Sequence, residues 1–101
     1  MREEFLHLPL VRNDENSRFE LEVDGHTAFI EFKQRDEKIT LIHTESPPEL
    51  EGRGAATALV EKTLNYIESN GYKMVPFCPF VLSYLKRHPE WNRLRADNKG
   101  T

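Results

Sequence analysis

The stretch Pro48-Glu49-Leu50-Glu51-Gly52-Arg53-Gly54-Ala55-Ala56 stands between an apolar run, Ile39-Thr40-Leu41-Ile42, and a long amphipathic segment, Thr57 to Asn70. That order reads as strand, glycine-bearing loop, helix. A helix starting there presents unpaired N–H groups and the positive end of its macrodipole, both of which favour an anion. Gly52 and Gly54 lack the Cβ atoms that keep a phosphate from the backbone, and they tolerate positive φ. Ala55 and Ala56 keep the first turn open. Two readings follow from these residues alone: a loop that holds a pyrophosphate, or glycines that only shape a strand-to-helix turn. A Walker loop needs Lys-Ser or Lys-Thr after its glycines, and this chain has neither there. A dinucleotide fold needs a third glycine and a sheet wound on both sides. With 101 residues there is no room for its two halves.

Around the loop, hydrophobic periodicity sets the elements. Ala56, Leu59, Val60, Leu64 and Ile67 recur at spacings of three and four, which places them on one stripe of a helix from Gly54 to Asn70. Glu61, Lys62, Asn65 and Glu68 lie largely opposite, and Gly71 is the natural left-handed cap. Upstream, Phe19, Leu21 and Val23 alternate with Glu20 and Glu22, and Asp24-Gly25 signals a hairpin. Ala28, Ile30 and Phe32 continue the alternation, Arg35-Asp36-Glu37 turns the chain, and Lys38 to Thr44 is a third strand. The pattern predicts an antiparallel meander of three strands. Tyr72 to Phe77 reads as a short strand, parallel to the one before the loop because a helix joins them. Pro79 ends it, and Phe80 to Arg87 is a short helix stopped by His88-Pro89. Residues 1–12 form an N-terminal arm, with Phe5, Leu6, Leu8 and Leu10 suited to an edge strand or a packed segment. Asn13 to Ser17 is turn chemistry, the core runs over 13–91, and 92–101 is a tail.

Length allows a single α/β (α+β) domain, 1–101, with one modest core. A formal net charge of −3 argues against a dedicated nucleic-acid binder. The single cysteine cannot form an internal disulfide, and no Cys/His set has zinc spacing, so no metal is expected. No apolar run is long enough for a membrane span. Met1-Arg2-Glu3-Glu4-Phe5 lacks the basic start and apolar block of a secretory signal, so the expected location is cytoplasmic.

Glu51-Gly52-Arg53-Gly54-Ala55-Ala56 resembles the coenzyme A pyrophosphate loop of the GCN5-related N-acetyltransferases, with Glu51 where Arg or Gln is usual. Further segments narrow the resemblance: His43-Thr44-Glu45 with the loop after it, then Pro76-Phe77-Cys78-Pro79-Phe80, then Arg87-His88-Pro89-Glu90-Trp91. In this order, from about Ser17 to Trp91, they are similar to the small single-domain acetyltransferase-like family. The resemblance implies a compact version of the superfamily fold without its first two helices. It also implies two strands that splay to admit a pantetheine arm, and an acceptor site left open or completed by a protein partner. Acetyl-CoA is the implied cofactor and transfer of an acetyl group to an amine the implied reaction. Glu51, Gly52, Arg53, Gly54, Ala55, Ala56 and Thr57 would bind the pyrophosphate. The backbone of His43 and Thr44 would meet pantetheine, while Arg53, Lys86 and Arg87 would add charge. Two other readings stand beside it: a non-catalytic coenzyme A-binding or acyl-sensing module working through a partner, and a small interaction domain whose glycines are structural.

Three side chains are candidates for chemistry. Cys78 lies between Pro76 and Pro79 at the end of the post-helix strand, where a thiolate could carry an acetyl group. Equally, a lone cysteine is often a small buried hydrophobe. Tyr84, in Tyr84-Leu85-Lys86, resembles the start of the superfamily's Tyr-x-[Lys/Arg]-x-Gly-Phe pattern, whose phenol protonates the departing thiolate, though His88-Pro89 replaces Gly-Phe. The plain alternative is a ring packed on the sheet. His43 could act as a base toward an amine or toward Cys78, or be a hydrogen-bonded strand residue.

Overall fold

The first half of the chain forms four antiparallel strands where the sequence pattern predicts three. In the computed structural model, which describes residues 2–96, these are β1 (Val11–Asn13), β2 (Arg18–Val23), β3 (His26–Arg35) and β4 (Lys38–Glu45). A fifth strand, β5 (Lys73–Pro76), lies parallel to β4, and the sheet order is β1-β2-β3-β4-β5. The extra strand, β1, is an edge of three residues, too short to show a two-fold pattern. Asn13, expected in the turn, pairs instead with Arg18. Of the arm residues expected in an edge strand or packed segment, Phe5, in a 3-10 turn over Glu3–Phe5, is fully buried, Leu8 and Leu10 pack partly buried against the core, and Leu6 is exposed.

Two helices complete the fold, α1 (Ala55–Ser69) and α2 (Pro79–Arg87). Pro79, expected only to end the strand, also starts α2, because its fixed φ and missing N–H suit the first helical position. Both helices pack on one face of the sheet. There they meet Phe19, Leu21, Ile30, Ile39 and Leu41, all fully buried. The stripe of α1 is shifted slightly from expectation: Ala55, Ala58 and Thr63 are buried, whereas Ala56 is half-buried. Buried Thr63 is satisfied by donating to the Leu59 carbonyl at 2.8 Å. The segment expected as a tail begins inside a 3-10 helix, Pro89–Leu94, and the Ala96 N–H donates to the Met74 carbonyl on the outer edge of β5. Residues 97–101 of that segment lie outside the described residues.

The irregular part of the sheet positions the site. β5 pairs with β4 only from Lys38↔Lys73 to Leu41↔Pro76, while β4 continues to Glu45. The N–H groups of Phe77 and Cys78 both donate to the Leu41 carbonyl, at 2.9 and 3.1 Å, and there the strands part. On the other side, Phe32 pairs with Leu41 and Glu31 with His43, which leaves Ile42 as a bulged residue. A bulge bends a strand and re-aims its side chains. This one sits at the parting of β4 and β5.

Candidate functional site

Chain direction alone explains the loop. Leaving β4, the backbone makes a 3-10 turn at Pro48–Leu50 and then reverses through Gly52 (φ +80°) and Gly54 (φ +85°). Gly54 is the N-cap of α1, and no side chain caps that helix. The N–H groups of the first turn therefore face outward without a side-chain acceptor. They open on a cleft of about 510 Å3, whose wall includes Gly52, Gly54, Ala55, Ala56 and Thr57, with Glu51 at the rim. That volume falls in the range of small-ligand sites, roughly 300–1,000 Å3. Main-chain donors, a helix N-terminus and two residues without Cβ atoms suit a pyrophosphate, so the residues present fit the pyrophosphate of coenzyme A.

Two further walls come from distant parts of the chain. Phe80, in the first turn of α2, closes one side, and Arg2 lies across the other. An Arg2 guanidinium nitrogen is 3.4 Å from the Gly52 carbonyl, and a Cβ placed on Gly54 would stand 3.7 Å from Arg2 Nε and 3.9 Å from Phe5. The arm is thus part of the site. Sequence reasoning missed Arg2 because it is 50 residues away, in a stretch without periodicity.

The expected phosphate cations are placed elsewhere. Arg53 reaches Asp24 at 2.7 Å and Glu4 at 2.6 Å, and hydrogen bonds to these two carboxylates raise its pKa. It ties the arm to the β2–β3 turn. Lys86 and Arg87 are exposed in the last turn of α2. Phe80, at the cleft, is six and seven residues away from them, about 10 Å along the helix axis.

Cys78 is the N-cap of α2 and is buried, with Sγ 3.1 Å from Thr44 Oγ1. Neighbouring residues on a strand point to opposite faces. Thr44 turns toward Cys78, so His43 turns away, to the face where its Nε2 lies 3.9 Å from Glu45. The structure therefore does not bring His43 to the thiol, and the hydroxyl of Thr44 occupies that place.

Tyr84 is also buried, its ring packed 4.4 Å from His88 and its hydroxyl donating to Glu61 of α1 at 3.4 Å. Burial, reinforced by the Glu61 carboxylate and opposed by a hydrogen bond with Trp91, pushes its pKa up to about 12. A phenol held this way is a weaker acid than a free one, and its proton is directed at α1. The ring is buried, and Tyr84 meets His88 of the α2 cap and Glu61 of α1.

Beyond β4 residue Leu41 the strand edge facing β5 carries no ladder partner, which leaves a run from Ile42 to Glu45 beside Cys78. Such an edge can pair with an extended amide-bearing chain. The cleft, the open edge and Cys78 follow one another along the carboxyl end of β4. Residues 18–94 match the family model described as GCN5-related N-acetyl-transferase. No curated protein matches the chain.

Proposed function

The chain belongs to the GCN5-related N-acetyltransferase family, and from that premise we propose that it is an acetyl-CoA-dependent acyltransferase acting on an amine. The observation that carries this reading is the cleft over Gly52 and Gly54 at the uncapped start of α1. Main-chain N–H groups of Gly54 to Thr57 hold the pyrophosphate, and the open edge of β4 near His43 and Thr44 pairs with the pantetheine amides. Acetyl-CoA supplies the acyl group as a thioester. Cys78 lies where β4 and β5 part, beside the open edge of β4. In the covalent route Cys78 Sγ bonds to the carbonyl carbon, the carbon–sulfur bond to coenzyme A breaks, and the Cys78 proton ends on the departing sulfur. The amine next bonds to the same carbon and Cys78 leaves with its proton restored from the amine. In the direct route the amine attacks the thioester and Cys78 only shapes the site.

One observation favours the second reading, a coenzyme A-binding module working through a partner. Phe77, next to Cys78, is 69% exposed, and Ile42 at the bulge is 37% exposed. A partner that completed the acceptor site would cover both.

Thermal unfolding with acetyl-CoA, coenzyme A and ADP tests the binding step. Ligand at a hundred times Kd adds about 2.7 kcal/mol, roughly 10–20 °C in midpoint for a domain of this size. A shift with both coenzyme forms, smaller with ADP, supports the site; no shift at millimolar ligand sinks it. Turnover on a panel of amines separates the enzyme from the binding module.

A further inference from the structure

We propose that Arg2 is the side-chain cation of the pyrophosphate site, delivered to the loop by the folded N-terminal arm. The inference rests on the coenzyme A reading above and adds a residue that lies outside the matched segment, 18–94. The loop's own charges do not serve. Glu51, which lines the cleft, is an acidic residue. Arg53 points out of the loop and is held at 2.6 and 2.7 Å by two carboxylates. Lys86 and Arg87 stand at the far end of α2.

Arg2 differs from Arg53 on each count. It lines the cleft, and its contacts are long: 3.4 Å to the Gly52 carbonyl and 3.8 Å to Glu4. Its side chain is 58% exposed, against 33% for Arg53, and carries five N–H donors. A guanidinium there matches a phosphate bidentately, which an ammonium cannot do.

The arm holds Arg2 in place by three means. Phe5 is fully buried three residues on. The Phe5 N–H donates to the Arg2 carbonyl at 3.0 Å, which closes the 3-10 turn. Glu4 is fixed by Arg53 at 2.6 Å. Arg53 thus acts on the site through the arm: it anchors the turn that carries the cation. The backbone that carries the cation is fixed in advance, so binding need not order the arm.

Titration calorimetry with coenzyme A and with 3′-dephospho-coenzyme A tests this, on the full chain and on Arg2→Ala, Arg2→Lys and Arg2→Glu. Removing one charge-assisted contact should weaken both ligands by about ten-fold to a hundred-fold in Arg2→Ala. Arg2→Lys should lie between wild type and Arg2→Ala, and Arg2→Glu should be weakest. Equal affinity in wild type and Arg2→Ala overturns the proposal. So does a loss that disappears with the dephospho ligand, because Arg2 would then read the 3′-phosphate. Failure of the wild-type chain to bind coenzyme A sinks the functional reading itself. Should Arg2→Ala be poorly folded, the comparison of Arg2→Lys with wild type decides: identical affinity for both ligands and identical salt dependence go against a bidentate guanidinium contact.

Discussion

Thr44 Oγ1 lies 3.1 Å from Cys78 Sγ, and this contact bridges β4 to the start of α2 where β4 and β5 part. It fixes the sulfur at a helix N-terminus, on the helix-covered side of the strand. If the acetyl group passes through that sulfur, Cys78→Ala should lower turnover on the order of a hundred-fold or more while coenzyme A affinity stays within about two-fold. Retained turnover would leave only direct attack by the amine.

Thr44→Val keeps shape and removes the hydroxyl. It should change the rate at which iodoacetamide alkylates Cys78 and lower turnover by less than Cys78→Ala does. An unchanged alkylation rate would show that the Thr44 hydroxyl does not orient the sulfur. His43→Ala is the internal comparison: it lies on the other face of the sheet, and its alkylation rate should match wild type.

Tyr84 is placed to stabilise the interface of α1 and α2. Tyr84→Phe should keep turnover within a few-fold and cost about 0.5–1.5 kcal/mol for the lost hydroxyl interactions. The pH dependence has a definite sign. Folding raises the phenol from the ordinary 10.0 to about 12, so between those values the unfolded chain has already released a proton that the fold retains. The contribution is complete below pH 10 and is lost as pH rises toward 12. Denaturant midpoints from pH 9 upward should fall more steeply for wild type than for Tyr84→Phe. Parallel curves would show that folding does not raise the phenol, and loss of turnover in Tyr84→Phe at neutral pH would give Tyr84 a catalytic role.

The elements that the sequence made legible are those whose signals are local. The α1 stripe, the Gly54 start and the Gly71 stop occur within one segment, and the expected Gly54-to-Asn70 helix is observed as Ala55–Ser69 with both flanking residues as caps. The loop glycines are legible for the same reason. What the pattern left out is long-range. The Thr44–Cys78 contact spans 34 residues, Arg53 reaches Glu4 across 49, and Arg2 reaches Gly52 across 50. Arg53 adjoins the loop in sequence, yet its side chain follows two carboxylates brought up by the arm and the β2–β3 turn. Proximity in sequence placed its backbone at the site and left its charge undetermined.

Both loop glycines adopt left-handed φ, and their surroundings differ. A Cβ on Gly52 would meet nothing within 4 Å, whereas one on Gly54 would touch Arg2 and Phe5 at ordinary contact distance. Backbone strain should therefore dominate, and Gly52→Ala and Gly54→Ala should each cost about 1–2 kcal/mol in urea unfolding. Coenzyme A affinity should fall in both, because relief of the strain rotates the N–H groups that face the cleft. A glycine that tolerated alanine with no loss of stability would not be held at positive φ.

Phe5 separates the structural role of the arm from its electrostatic role. Its ring is fully buried against the loop, so Phe5→Ala should cost about 3–5 kcal/mol, a large share of the 5–15 kcal/mol typical of a domain. It should also weaken coenzyme A binding at temperatures where the variant is still folded, because Arg2 loses its anchor. Arg2→Ala should weaken binding with little change in stability, and Phe5→Leu, which refills most of the volume, should recover much of both. Urea midpoints and coenzyme A titrations on the same three variants give the two quantities independently. If Phe5→Ala lost stability alone and bound coenzyme A as wild type does, the arm would be packing for the core and nothing more. Loss of affinity in both variants, with loss of stability in only one, is the pattern that a cation held in place by a buried ring requires.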